Sequence, residues 1–231
     1  MRALLAFAFA ALTLAAPAAG ATRNFGIDTF DKIRVEGPYT VIVTTGVAPF
    51  ARASGKPAAL DGVNVDVEGH TLIVRSNRAS WGGYPGERSG PVEIAIGTHE
   101  LTGAWLNGAG GLKIDRVKGL TFQLSVQGSG TASIGRVDVD QLNVGIAGTA
   151  SATLAGRVGK MTAVIRGISA LDASGLEVKD ATIGAEGAAT IKANVTNAAK
   201  IDGSGPATIT LTGRPSCTVS VKGSTTVSGC R

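Results

Sequence analysis

The sequence predicts an all-β protein, a parallel β-helix (β-solenoid) with coils of roughly 20 residues. Two observations carry that prediction. Glycines recur at Gly108, Gly128, Gly148, Gly167, Gly187, Gly203 and Gly223, at spacings of 20, 20, 19, 20, 16 and 20 residues. A fixed period of this size marks repeats that bury their apolar face only by stacking on one another. Around each glycine, apolar residues alternate with Thr, Ser, Asn and Gln, the period-two pattern of strands with one buried face. No window has a convincing helical period.

The aligned repeats define columns. Two residues before the bend stand Leu106, Val126, Ile146, Ile165, Ala185, Ile201 and Val221. Four after it stand Leu112, Ala132, Ala152, Leu171, Ile191, Ala207 and Val227. The glycines are expected at sharp corners, where a side chain would be in the way. A phosphate-binding role for "GSG" at 128–130 is excluded by the next ten residues. "TASIGRVDVD" reads as strand, whereas a phosphate loop opens a helix whose N–H groups face the anion.

The remaining elements are taken in chain order. Residues 1–21 combine Arg2, an apolar run and an Ala-Gly-Ala ending, the pattern of a secretory signal peptide. The run is too short and Ala-rich for a membrane span, and no later segment reaches spanning length without Gly or charge, so the mature chain is expected to lack one. Residues 22–231 then form a single solenoid domain, with regular repeats at 101–231 and less regular coils at 25–100. In the earlier part, Ile33, Val35, Val41 and Val43 surround Gly37, and Val65, Val67 and Ile73 surround Gly69. Export makes a disulfide between Cys217 and Cys230 plausible. With a two-residue turn at Gly223-Ser224, the two cysteines fall opposite each other in a hairpin, and this disulfide-closed hairpin is expected to cap the C-terminal end.

The opening "FDKIRVEGPYTVIV", then "LDGVNVDVEGHTLIV", then bend repeats including "QGSGTA" and "DGSGPA" resemble the auto-transporter adhesin head, or GIN-domain, family. The likeness runs from about Phe25 to Gly229. It implies an exported bacterial β-helix of the cell envelope with no established catalytic residues.

Chemistry is harder to find. The formal net charge is +5, one unit of it from Arg2, a modest basicity that excludes the charge footprint of a nucleic-acid binder. Glycosidase action needs paired carboxylates, but the acids fall at scattered offsets from their bends. Asp138 and Asp140 share one strand face and are expected to form a solvated edge with Arg136. His70 and His99 are the only histidines, and neither suggests a base or a metal site. No metal ligand set, cofactor or catalytic residue is expected.

Two features suit binding. The Gly/Pro-rich stretch 76–91 carries Arg78, Trp81, Tyr84, Glu87 and Arg88, and flat rings with polar edges beside arginines suit sugar stacking. The alternative is that Trp81 folds back over an open side of the core. Arg116, Arg136 and Arg157 stand eight, eight and nine residues after their bends and are expected to stack as a basic column. Such a column calls for an anion, or else for internal neutralisation by Asp115 and Asp138. The expected function is a non-enzymatic, adhesin-like envelope or surface protein that binds a glycan or another surface component. The alternatives are a polysaccharide lyase or hydrolase on a β-helix, which loss of activity in Asp138→Asn or Asp140→Asn would locate, and a structural rod or assembly subunit.

Overall fold

The computed structural model describes residues 20–77 and 90–231. The strands are β1 (Ala21–Phe25), β2 (Lys32–Glu36), β3 (Thr40–Thr45) and β4 (Phe50–Gly55), followed by a short helix α1 (Pro57–Asp61). Next come β5 (Val63–Glu68), β6 (Thr71–Ser76), β7 (Glu93–Thr98) and β8 (Gly103–Gly108). The long rungs are β9 (Gly111–Gly128), β10 (Thr131–Gly148), β11 (Ser151–Gly167), β12 (Ala170–Glu186) and β13 (Thr190–Ser204). β14 (Thr208–Thr212), β15 (Ser216–Lys222) and β16 (Thr226–Ser228) finish the chain. Among the described residues no helix is long and apolar enough to cross a membrane.

From β9 onward the rungs pair in parallel, coil on coil, so the fold is the expected β-solenoid. Alternation decides which side chains enter it. Phe122, Leu142, Met161, Ala181 and Ala199 are register partners in one inward column, each no more than 5% exposed. Beside them run Leu124, Val144, Ala163, Ile183 and Ile201. Ala181 thus has Ile183 as its inward neighbour, so small and large side chains interdigitate at constant coil width. Each buried Leu, Ile or Val adds about 1.5–3 kcal/mol of apolar burial.

The bend glycines close each coil for a steric reason. Gly128 and Gly148 sit at φ +104° and +99°, where a β-carbon is strained. The rung beneath also leaves no room: a Cβ on Gly128 would lie 2.7 Å from the Gly108 carbonyl oxygen.

Coil length departs from the repeat spacing at one place. The sixth bend is Gly205, at φ +93° and stacked on Gly187, while Gly203 pairs with Ala185 inside the strand. The coils from Gly187 to Gly205 and from Gly205 to Gly223 therefore have 18 residues each, and Ile209 rather than Ala207 continues the column of Ile191. "GSG" offers two glycines two residues apart, and parity cannot choose between them. β11 is one residue shorter than β10 across a bulge between Ile134 and Val137, and β12 regains that residue between Thr153 and Ala155 of its partner.

The two ends also differ from expectation. Residues 63–76 are an antiparallel hairpin, β5–β6, rather than a coil; only β6 joins the parallel stack, on β2. β1 and β4 are likewise antiparallel, and α1 buries Ala59 and Leu60 against this N-terminal layer. At the other end the Cys217–Cys230 disulfide is present, with sulfurs 2.02 Å apart. The hairpin around it is not: β15 pairs in parallel with β13, and β16 with β14. Stacking on the preceding rung satisfies more backbone than folding back would, so the segment forms a further coil and the disulfide ties its two ends together. Cys217 continues the inward column behind Ala199.

Candidate functional site

Of the residues singled out by sequence, Arg78, Trp81, Tyr84, Glu87 and Arg88 lie outside the described residues. The arginine column survives in part. Arg116 and Arg136 are direct register partners on β9 and β10. Arg157 leaves the column, because the β11 bulge moves it one place along, opposite Asp138. It enters an outward ladder of alternating sign: Lys118, Asp138, Arg157 and Glu177 on successive rungs. Opposite charges across neighbouring strands are favourable, and Asp138 is placed between two cations on the adjoining rungs, in a cavity of about 290 Å³ that Asp140 and Glu177 also line.

Asp115 does not neutralise Arg116 either. Its Oδ1 accepts hydrogen bonds from the Thr45 N–H at 3.0 Å, the Thr45 hydroxyl at 3.2 Å and the Arg116 N–H at 2.6 Å. The carboxylate is committed to holding the corner where β9 passes β3. Among the described residues, ion pairs within 4 Å join Arg75 to Asp66 and Glu68, Arg166 to Glu186, and Lys200 to Asp202, and none involves Arg116 or Arg136.

The link between β7 and β8 builds the surroundings of Arg116. Thr102 donates its N–H to the Asp31 carbonyl at 2.7 Å and its hydroxyl to Asp31 Oδ2 at 2.8 Å. The Asp31 N–H reaches the His70 carbonyl at 3.2 Å. These bonds bring β2, the β5–β6 hairpin and the 99–102 link together around a cavity of about 380 Å³, lined by Asp31, Lys32, His70, His99 and Glu100 among others. A second cavity of about 220 Å³ shares His99 and Glu100 and adds Thr45, Gly46, Arg116 and Lys118. Both histidines of the chain thus meet at one shoulder of the solenoid, which sequence spacing did not suggest. Among the described residues no group of three His, Cys, Asp or Glu is placed to hold a metal ion.

Trp105 is a further residue that the sequence reading missed. It points outward between buried Ala104 and Leu106, half-buried, with Arg34 and Ser125 beside it on the neighbouring strands. Its indole lies over Gly103: a Cβ there would be 2.5 Å from the ring. The signal was available, since assigning Leu106 to the inward column makes Trp105 face outward by parity.

Solved structures share this architecture. A crystal structure of a "putative adhesin" from Bacteroides fragilis NCTC 9343 superposes with a TM-score of 0.79 at 18% identity, covering 91% of this chain and 97% of that one. A "putative adhesin" from Parabacteroides merdae ATCC 43184 gives 0.69 at 18% identity, with 91% and 95% covered. A "putative lipid binding protein" from Parabacteroides distasonis ATCC 8503 gives 0.68 at 18%, with 91% and 96% covered. No curated protein matches the chain significantly. At such identities the likeness establishes the fold. The family model described as "Putative auto-transporter adhesin, head GIN domain" matches residues 29–215, and the chain belongs to that family.

Proposed function

We propose that the chain is a non-enzymatic, exported surface protein that holds an acidic glycan, or another anionic surface component, on the shoulder formed by Arg116, Arg136 and Lys118. The observation that carries this reading is the stacking of Arg116 on Arg136, with no carboxylate paired to either guanidinium among the described residues. Their backbones lie on adjacent strands, about 4.8 Å apart, and the Arg116 guanidinium lies over Gly46 in the cavity it shares with Lys118, so like charges gather on this shoulder and repel one another. A carboxylate or sulfate placed between them removes the repulsion through charge-assisted hydrogen bonds. Membership of an adhesin family supports the surface role. The rings and arginines of the 78–89 stretch (Arg78, Trp81, Tyr84 and Arg88) are part of the same proposal as a second contact with the sugar.

The test is binding of the full chain to uronate-containing and sulfated polysaccharides, by calorimetry at low and moderate salt. Binding that weakens with salt, and falls about tenfold in Arg116→Ala/Arg136→Ala, is the expected outcome. Undiminished binding in the double variant would remove the shoulder from the function. Release of unsaturated or new reducing ends from the polysaccharide would replace binding with catalysis.

A further inference from the structure

We infer that Trp105 and the adjoining Asp31 cavity form a separate subsite for a neutral pyranose unit. The inference rests on the reading of the chain as a glycan-binding surface protein, but not on the charge of its shoulder.

Three observations converge. First, Gly103 lets the indole of Trp105 lie down on the sheet, since any side chain at 103 would collide with the ring. One face of the ring covers backbone, and the residue is half-buried on the outer surface. Among the described residues the cation–ring contact is Arg23 over Phe25, so neighbouring Arg34 does not occupy the indole face. A flat ring lying on a rigid sheet presents apolar area of the kind that the C–H face of a pyranose covers at low entropic cost.

Second, Lys32 is the register partner of Gly103 and also lines the cavity with Asp31, His70, His99 and Glu100. The ring and the cavity therefore stand side by side. Third, the cavity wall carries two carboxylates, that of Glu100 and that of Asp31, whose Oδ2 is fixed by the Thr102 hydroxyl. Sugar hydroxyls supply donors, and Glu100 offers a second acceptor in the same cavity. The ligand class that satisfies both halves has a C–H face for the indole and hydroxyl groups for the carboxylates. An acidic sugar would bring its charge against Asp31 and Glu100, so this subsite favours a neutral unit where the shoulder favours an anionic one.

The experiment uses the full chain in a Trp81→Phe background, which leaves Trp105 as the single indole of the two in the sequence. A panel of neutral hexasaccharides built from glucose, mannose, galactose or N-acetylglucosamine is titrated while indole fluorescence is read. The expected result is a saturable, salt-insensitive change in emission with at least one of them. By calorimetry, that affinity falls about tenfold in Trp105→Ala, is largely retained in Trp105→Phe, and weakens several-fold in Asp31→Asn. The proposal is overturned if no neutral oligosaccharide shifts the emission, or if binding persists unchanged in folded Trp105→Ala. Binding of acidic polysaccharides without any neutral binding sinks this subsite alone; failure of both ligand sets by calorimetry with the unsubstituted chain sinks the glycan reading as a whole.

Discussion

Residues 111–204 and residues 20–110 share one hydrophobic core but follow different rules. In the later region, successive rungs repeat a register almost residue for residue, and the inward columns are complete. In the earlier region, the parallel pairs β2–β6, β2–β8 and β3–β7 are extended at their edges by antiparallel strands, β5 on β6, β4 on β7 and β1 on β4, with helix α1 packed beside them. The core residues are just as buried in both, for instance Ile33 and Ile94 beside Ile165 and Ile183, all at 0%. The surfaces differ in what lines their hollows. On the repeating rungs, hollows of about 290 and 280 Å³ are lined by side chains at matching places on successive coils, whereas the hollow of about 380 Å³ beside the 99–102 link is lined by residues from β2, the β5–β6 turn and that link. Repetition makes a rigid support, and the break in repetition brings together groups that are far apart in sequence.

Substitutions at glycines put this contrast to the test, and a steep loss is expected at Gly148. Gly148→Ala places a methyl group against the Gly128 carbonyl at a positive φ, with stacked rungs on both sides unable to move. A loss of about 4 kcal/mol is expected, combining backbone strain with overpacking, measurable by urea denaturation. Gly69 has a similar sign of φ, +63°, but lies at the β5–β6 turn, where a Cβ would meet no atom within 4 Å. Gly69→Asn should cost less than about 1 kcal/mol, because Asn tolerates the left-handed region. Equal costs at the two glycines would erase the distinction between the regions.

Removing the disulfide comes next. Cys217 and Cys230 are 13 residues apart, and opening a loop of this size costs roughly 3 kcal/mol in the chain-entropy account. In a stack whose coils contact only their neighbours, the loss should stay local. Hydrogen exchange of Cys217→Ser/Cys230→Ser is expected to lose protection in β15 and β16 while β9–β12 keep theirs. Uniform loss through the whole chain would mean that the stack unfolds as one cooperative unit.

A slighter effect concerns Asp172, at the bend where β12 regains its extra residue. Its carboxyl is held below the usual carboxylate range by hydrogen bonds from the Ser174 hydroxyl at 2.6 Å and the Ser174 N–H at 3.1 Å. A depressed folded-state pKa stabilises above the unfolded-state value and loses that contribution as pH falls through the folded-state value. The site is exposed, so solvent screening limits the effect to less than about 1 kcal/mol. Asp172→Asn should be slightly less stable than the parent chain near neutrality and converge with it in acid below the carboxylate range.

The expectations held where one coil copies the next and failed where a bulge, a second glycine or a change of strand direction broke the copy. Alternation and period identified the inward residues of β9–β13 because one coil is a copy of the next and burial repeats with it. They failed at Gly203 and Gly205, where two glycines of equal parity competed, and at Arg157, where a one-residue bulge outweighed the count from the bend. The hairpin 63–76 had the alternation of a coil, since a strand has the same period whichever direction its partner runs. The candidate site was legible only in fragments. Arg116 and Arg136 were marked by equal offsets from stacked bends. Asp31, His70 and His99 are far apart in sequence and share no period.

The linear order of residues was therefore enough to specify the strand content, the solenoid, the parity of most core side chains and the pairing of Cys217 with Cys230. The first three depend on local alternation or on a repeat that neighbouring residues already display, and the disulfide follows from there being two cysteines in the sequence, not from the hairpin register. The register between coils, the direction of the terminal strands, and the meeting of Asp31, His70, His99 and Trp105 at one shoulder emerged only in three dimensions. Those features depend on which rung each strand chooses as its neighbour. That choice is settled by backbone hydrogen bonding and packing summed over the whole stack, which no single segment of the chain encodes.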